Sequence, residues 1–287
     1  MPHALQRLIL PLLLTTTLLL TACPAPRQEV SDSAAPASDT RSQPITSQAV
    51  ALAAPAGVAI PASINPVDPK TLPADIKLPG KLLQVWYWTE ADGEHWLVRS
   101  HSKRSYTFEE MDATESLLHV AQFRVKAGKA ERLWLLQDGV KDCPFDSVAR
   151  FYPEGVRITD LDQDGVHEVA MAYHTTCTSD VSPQDMKVIL RERDGKWGLR
   201  GTTWLPDEAL QGKTPPPVPQ AAACPPGTDL SKMDPQHWHT GCYQSEQDFT
   251  SAPPVFLQHA KALWRAALLA SAPGGQPDLS SVDEGED

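Results

Sequence analysis

Four Asp-Gly dipeptides, Asp92-Gly93, Asp138-Gly139, Asp164-Gly165 and Asp194-Gly195, punctuate residues 81–203, each beside short runs rich in apolar and aromatic residues. Asp-Gly accepts the left-handed backbone of a tight hairpin turn, so this spacing restricts the stretch to antiparallel hairpins. Strands are expected over 82–89, 95–101, 118–125, 132–137, 156–159, 167–174, 186–192 and 197–203. In Val169-Ala170-Met171-Ala172-Tyr173 and Met186-Lys187-Val188-Ile189-Leu190-Arg191 the apolar residues can line one or both faces of a packed sheet. The expected fold is mainly β: a domain over 79–205 of antiparallel hairpins, propeller-blade-like or sandwich, followed by a C-terminal α-helix.

That helix is signalled by Pro253-Pro254 ahead of Phe256, Leu257, Ala260, Leu263, Trp264, Ala267 and Leu268, an i, i+3, i+4 stripe with proline at its start. Few basic residues flank the stripe, so docking on the β core is expected rather than lying on a membrane. Between domain and helix, Thr214-Pro215-Pro216-Pro217 and Cys224-Pro225-Pro226-Gly227 break any regular element. Residues 206–272 therefore read as a stapled connector plus helix, and the acidic 273–287 as a disordered tail.

At the other end, Arg7 supplies a positive head, residues 8–20 an apolar run too short to span a bilayer comfortably, and Leu20-Thr21-Ala22-Cys23 a small-residue cleavage site. This tetrapeptide resembles a bacterial lipobox. The resemblance implies a signal peptide over 1–22, acylation of Cys23 as the first mature residue, and a membrane partner reached through that lipid. Pro24 stands where an aspartate would argue for inner-membrane retention, so the implied address is the outer membrane, facing periplasm or surface. Residues 23–78, rich in Pro, Ala, Ser and Thr and without an aromatic, read as a disordered tether spanning roughly 40 Å.

Formal charge is −11, with 36 acids against 25 Lys and Arg, and losing the signal peptide with Arg7 moves it to −12. Nucleic-acid binding needs a basic stripe, and neither a Lys/Arg run nor a nucleic-acid motif is present. With Cys23 lipidated, Cys143, Cys177, Cys224 and Cys242 remain, an even count that suits two disulfides in an oxidising compartment. Three connectivities are possible. Cys143 with Cys177 and Cys224 with Cys242 is the expected one, since each pair flanks one candidate structural unit.

The chemistry is concentrated in Thr159-Asp160-Leu161-Asp162-Gln163-Asp164-Gly165-Val166-His167-Glu168-Val169. Carboxylates of Asp160, Asp162 and Asp164 alternate toward one centre, Gly165 permits the sharp turn, and the Val166 carbonyl and Glu168 can close a shell of oxygens suited to Ca²⁺. An EF-hand is excluded, because its closing acid would fall at Met171 and its flanks would be helices. The acid at the ninth position instead resembles the calcium hairpins of FG-GAP and related propeller-blade repeats. A single copy and about 190 foldable residues argue against a complete propeller.

Around the loop, Asp142-Cys143, Tyr173-His174-Thr175-Thr176-Cys177-Thr178-Ser179-Asp180-Val181-Ser182-Pro183, Met186-Lys187 and Leu199-Arg200-Gly201-Thr202 resemble a sparsely characterised bacterial family named for surface-polysaccharide biosynthesis. The resemblance implies an envelope role and carries over no catalytic residue. Zinc could be offered imidazole and thiolate by His237, His239 and Cys242, or by His174 and Cys177, in competition with oxidation of the same sulfurs. No Gly-x-Ser-x-Gly elbow, phosphate-binding glycine loop or His-Glu-x-x-His occurs. The expected function is a lipid-anchored envelope binding or assembly module with one structural Ca²⁺, its partner a polysaccharide or an envelope protein. Two alternatives stand beside it: an enzyme acting on envelope polysaccharide, with Asp146, Asp180 or Asp185 pairing with loop acids, and a periplasmic inhibitor or chaperone-like lipoprotein.

Overall fold

A computed structural model describes residues 63–180, 182–205, 217–230 and 240–271. It is mainly β. A first sheet has the order β1 (Pro66–Val67), β2 (Lys81–Glu90), β3 (Gly93–Phe108), β4 (Met111–Lys126), β5 (Lys129–Cys143); a second runs β6 (Asp146–Thr159), β7 (Glu168–Thr178), β8 (Asp185–Glu192), β9 (Gly195–Thr202). Every neighbouring pair is antiparallel. A single α-helix among the described residues, α1 (Pro254–Ser271), closes the fold.

The two sheets pack face to face as a sandwich. Trp86, Leu97, Leu118, Val120, Trp134 and Leu136 of the first meet Phe151, Val156, Ile158, Val169, Met171 and Ile189 of the second. The outer faces are covered too, which is why the strands read as near-continuous apolar runs. Behind the second sheet, Ala170, Met186, Val188, Leu190 and Leu199 receive Phe256, Ala260, Leu263, Trp264 and Leu268 of α1. At about 1.5–3 kcal/mol per fully buried large side chain, that stripe is enough to dock the helix on protein.

Behind the first sheet, Val85, Trp96, Val98, Ala121 and Phe123 are covered by Ile76 with Val67, Leu72 and Leu78. Residues 63–78, expected as the end of the tether, are therefore part of the fold. Their proline-rich sequence hides the fact because they contribute one strand of two residues, one short 3-10 turn (Pro69–Thr71) and scattered aliphatic contacts. Ile64 also donates its N–H to the Ile158 carbonyl at 3.1 Å, joining the segment to the second sheet.

Of the four Asp-Gly sites, Asp92-Gly93 and Asp194-Gly195 end hairpins whose two-residue loops are Ala91-Asp92 and Arg193-Asp194, each glycine opening the next strand, and Asp164-Gly165 lies in the β6–β7 loop. Asp138-Gly139 is not a turn; it lies within β5 beside a register shift. Gly139 has φ +149°, and a Cβ there would stand 2.1 Å from the Ser116 carbonyl oxygen, so glycine serves close strand approach. The β3–β4 hairpin instead turns at Glu109-Glu110, both left-handed at φ 47° and 68°. Glutamate carries no turn signal, and residues 102–117 lack apolar alternation, so this long arm was not expected as strand.

Both expected disulfides are present, Cys143–Cys177 joining the two sheets and Cys224–Cys242 stapling the connector. Sequence separations of 34 and 18 correspond to about 3–4 kcal/mol each in the chain-entropy description. The connector lies against β9, where Tyr243 bridges both Gly201 and Ala223.

Candidate metal centre and adjoining cleft

The β6–β7 hairpin pairs Thr159 with Glu168 and leaves residues 160–167 as its loop. Left-handed Gln163 (φ 62°) and Gly165 (φ 83°) curl it back on itself. The curl gathers Asp160, Asp162 and Glu168, whose carboxylate oxygens lie within 4.8 Å of one another and could hold a metal ion. Glu168 is fully buried, and its Oε2 accepts from the Leu161 N–H at 2.8 Å. Its Oε1 and the Oδ1 of Asp160 are both buried without any hydrogen-bond partner. Burial, reinforced by Asp162 and Asp160, pushes the Glu168 carboxyl up to about 8. Two orphaned carboxylate oxygens facing an exposed third are costly unless a cation or a proton joins them, and an all-oxygen donor set suits a hard cation.

Asp164 takes a different part. Its Oδ1 accepts from the Val166 N–H at 2.8 Å and its Oδ2 pairs with Arg193 at 3.1 Å, so it braces the loop against the β8–β9 turn. Val166 lines the neighbouring cleft.

That cleft, about 570 Å³, lies between the loop and the β2–β3 turn. Its wall holds a second acidic group that the sequence reading passed over: Glu90, Asp92 and His95. The only signal was their crowding around Asp92-Gly93, which read simply as a turn. Glu90 Oε1 accepts from Trp88 Nε1 at 2.7 Å and from the His167 N–H at 3.0 Å, tying the loop to the first sheet.

His95 is almost wholly buried, and its tautomer follows from its neighbours. Trp134 Nε1 donates to Gln122 Oε1 at 2.8 Å, so Gln122 must present its amide NH₂ to His95 Nδ1, 2.9 Å away. Nδ1 is thus an acceptor, and Nε2 carries the proton toward Asp92 Oδ1 at 2.8 Å. An imidazole that donates from Nε2 has no lone pair there for a metal. Asp92 is held low by hydrogen bonds from Arg124 and His95. This group is a closed hydrogen-bond network, unlike the orphaned oxygens of the loop.

The zinc readings fail where the sulfurs are concerned, since Cys177 and Cys242 are in disulfides and cannot ligate as thiolates. His237 and His239 lie outside the described residues, as does Cys23. Asp146, Asp180 and Asp185 do not meet the loop acids. Asp146 opens β6 at the end remote from the loop and pairs with Thr178, beyond which Asp180 bonds Thr178 and Ser182, and Asp185 pairs with Thr175. An antiparallel hairpin puts its loop at one end and its strand termini at the other, which separates them. No described helix is long and apolar enough to cross a membrane. Compared with protein-family models, curated proteins and solved structures, the chain matches none of them.

Proposed function

We propose that this chain is a lipid-anchored cell-envelope module for binding or assembly, organised by one structural Ca²⁺ held by Asp160, Asp162 and Glu168. The observation that carries the metal is the pair of buried, partnerless oxygens, Asp160 Oδ1 and Glu168 Oε1, converging with the Asp162 carboxylate. Ca²⁺ requires six to eight oxygens, so the Val166 carbonyl, water and an Asp164 released from Arg193 complete the shell. The anchor rests on the lipobox-like Leu20-Thr21-Ala22-Cys23, and the address on the outer membrane rests on Pro24. Polysaccharide or an envelope protein is the proposed partner, and the cleft walled by the loop is where it would engage.

Titrating Ca²⁺ into the chelated full chain by calorimetry, while following its melting temperature, tests the metal. Saturable binding that raises the melting temperature and disappears in Asp162→Ala is expected; equal stability with and without chelator would remove the site. Loss of acyl labelling and membrane fractionation in Cys23→Ser tests the anchor separately.

A polysaccharide-acting enzyme is the second reading, favoured by the cleft and the proximity of Glu90 and Asp92 within it. Both carboxylates are already committed to neighbouring donors, which fits binding better than acid–base turnover. Release of reducing ends from envelope polysaccharide, abolished by Glu90→Gln, would reverse that preference.

A further inference from the structure

A second cleft, about 520 Å³, opens between the sheets where β3 passes from His101 to Lys103. His95, in the first cleft, is six residues back along the same strand, about 20 Å away at strand rise. Among the described residues, the lining includes Lys81, His101, Lys103 and Arg150 and no acidic side chain. In a chain with 36 acids against 25 Lys and Arg, four basic residues around one concavity run against composition.

The concavity is shaped by the backbone. Gly80 has φ +80°, and a Cβ there would lie 2.2 Å from the His101 carbonyl oxygen; only glycine lets the chain enter β2 so close to β3, seating Lys81 opposite His101. Buried Ser116 and Ser147 lie at the cleft, and Lys103 pairs across the sheet with Ser116. Thr114 Oγ1 stands 2.8 Å from Ser147 Oγ. His101 Nε2 lies 2.9 Å from Ser116 Oγ. Lys81, His101 and Arg150 have further interactions, but an ammonium has three donors and a guanidinium five.

Positive charge continues inward. Arg99, two residues from His101, is sandwiched between the rings of Trp86 at 5.6 Å and Phe151 at 4.9 Å, and its Nε is buried without a partner. Burial moves this guanidinium downward, to about 10.

We propose that this cleft binds a phosphoryl group carried on a small organic ligand. Cationic and hydroxyl donors from four strands suit a tetrahedral phosphoryl anion, whose oxygens do not lie in one plane, better than a planar carboxylate. The volume is in the range of small-molecule sites and exceeds what a bare phosphate fills, so the group is attached to a body of roughly sugar or headgroup size. Nothing in this site depends on the calcium loop.

Calorimetry on the full chain, in chelator and again in Ca²⁺, tests it with inorganic phosphate, glucose 6-phosphate, glycerophosphoglycerol and unphosphorylated glucose. Saturable binding of the phosphorylated probes and not of glucose is expected in both conditions. Lys103→Glu and Arg150→Glu should each weaken it at least tenfold, and Lys129→Glu, on the distant β4–β5 turn, should not. Tighter binding of glucose 6-phosphate assigns the group to a sugar phosphate, and tighter binding of glycerophosphoglycerol to a lipid headgroup; either supports the site. No saturable binding, equal affinity for glucose, or affinity unchanged in both charge reversals at intact melting temperature overturns it.

Discussion

The Tyr173 hydroxyl donates to Asp138 Oδ2 at 2.7 Å across the gap between the two sheets. Lys187 Nζ reaches the same oxygen at 2.6 Å, so one carboxylate of β5 clasps two strands of the opposing sheet. Strand alternation puts that acid there: Asp138 follows Trp134 and Leu136 on the inner face of β5 and pairs with Leu118 of the inter-sheet core. Burial opposes its charge, but the hydrogen bonds from Lys187 and Tyr173 hold Asp138 below the usual carboxylate range.

Asp138→Ala strands a half-buried ammonium and a buried phenol and should destabilise the fold by about 1–3 kcal/mol in denaturant unfolding. The contribution follows the sign of a lowered carboxyl pKa: present above the unfolded value, lost as pH falls through the folded one. A variant as stable as the parent at pH 7 would show that the clasp contributes no net stability.

Removing calcium should loosen the β6–β7 hairpin first. Binding energy for the ion becomes folding energy because the unfolded chain has no such site, giving about 2.7 kcal/mol at a free concentration one hundred times Kd. Hydrogen exchange of the Leu161 and Gly165 amides, which bond Glu168 and Asp160, should accelerate in chelator before that of β3 or β4 amides.

In chelator, stability should fall as pH rises from about 4.5 to about 8. Folded Glu168 keeps its proton up to about 8 while the unfolded carboxyl loses it near 4.5, so the native state binds more protons through that window. The slope is bounded by about 1.4 kcal/mol per pH unit for one group. Saturating Ca²⁺ takes the place of the proton and should flatten the profile; Glu168→Gln should flatten it in chelator as well. An identical slope in parent and Glu168→Gln would place its origin elsewhere.

His95 should be a neutral Nε2–H imidazole, visible in long-range ¹H–¹⁵N spectra as a protonated Nε2 and a bare Nδ1. Trp134→Phe deletes the donor that orients Gln122, so the amide can turn over and the alternative tautomer should become populated. The expected cost is about 1 kcal/mol for the lost hydrogen bond. A single unchanged tautomer in that variant would mean Asp92 alone fixes the ring.

Much of this protein is legible in its sequence because the relevant physics is local. Alternation of side chains and turn chemistry place most strands, the 3.6-residue stripe from Phe256 to Leu268 places the helix, and closely spaced acids with Gly165 place the loop. Other features depend on contacts far apart along the chain. Whether hairpins stack as a sandwich or ring a propeller depends on which faces meet, as when Trp86 packs near Met171. That residues 63–78 cover a sheet follows from the apolar patch around Trp96, not from their own pattern. The Glu109-Glu110 turn is imposed by the strands it joins, against the preference of its residues. The tautomer of His95 and the separation of Asp146 from Asp160 were fixed only when strand pairing set Trp134 opposite Gln122 beside His95 and the β6–β7 hairpin put its two ends apart. Local pattern determines the elements; burial of two-sided sheets determines their partners.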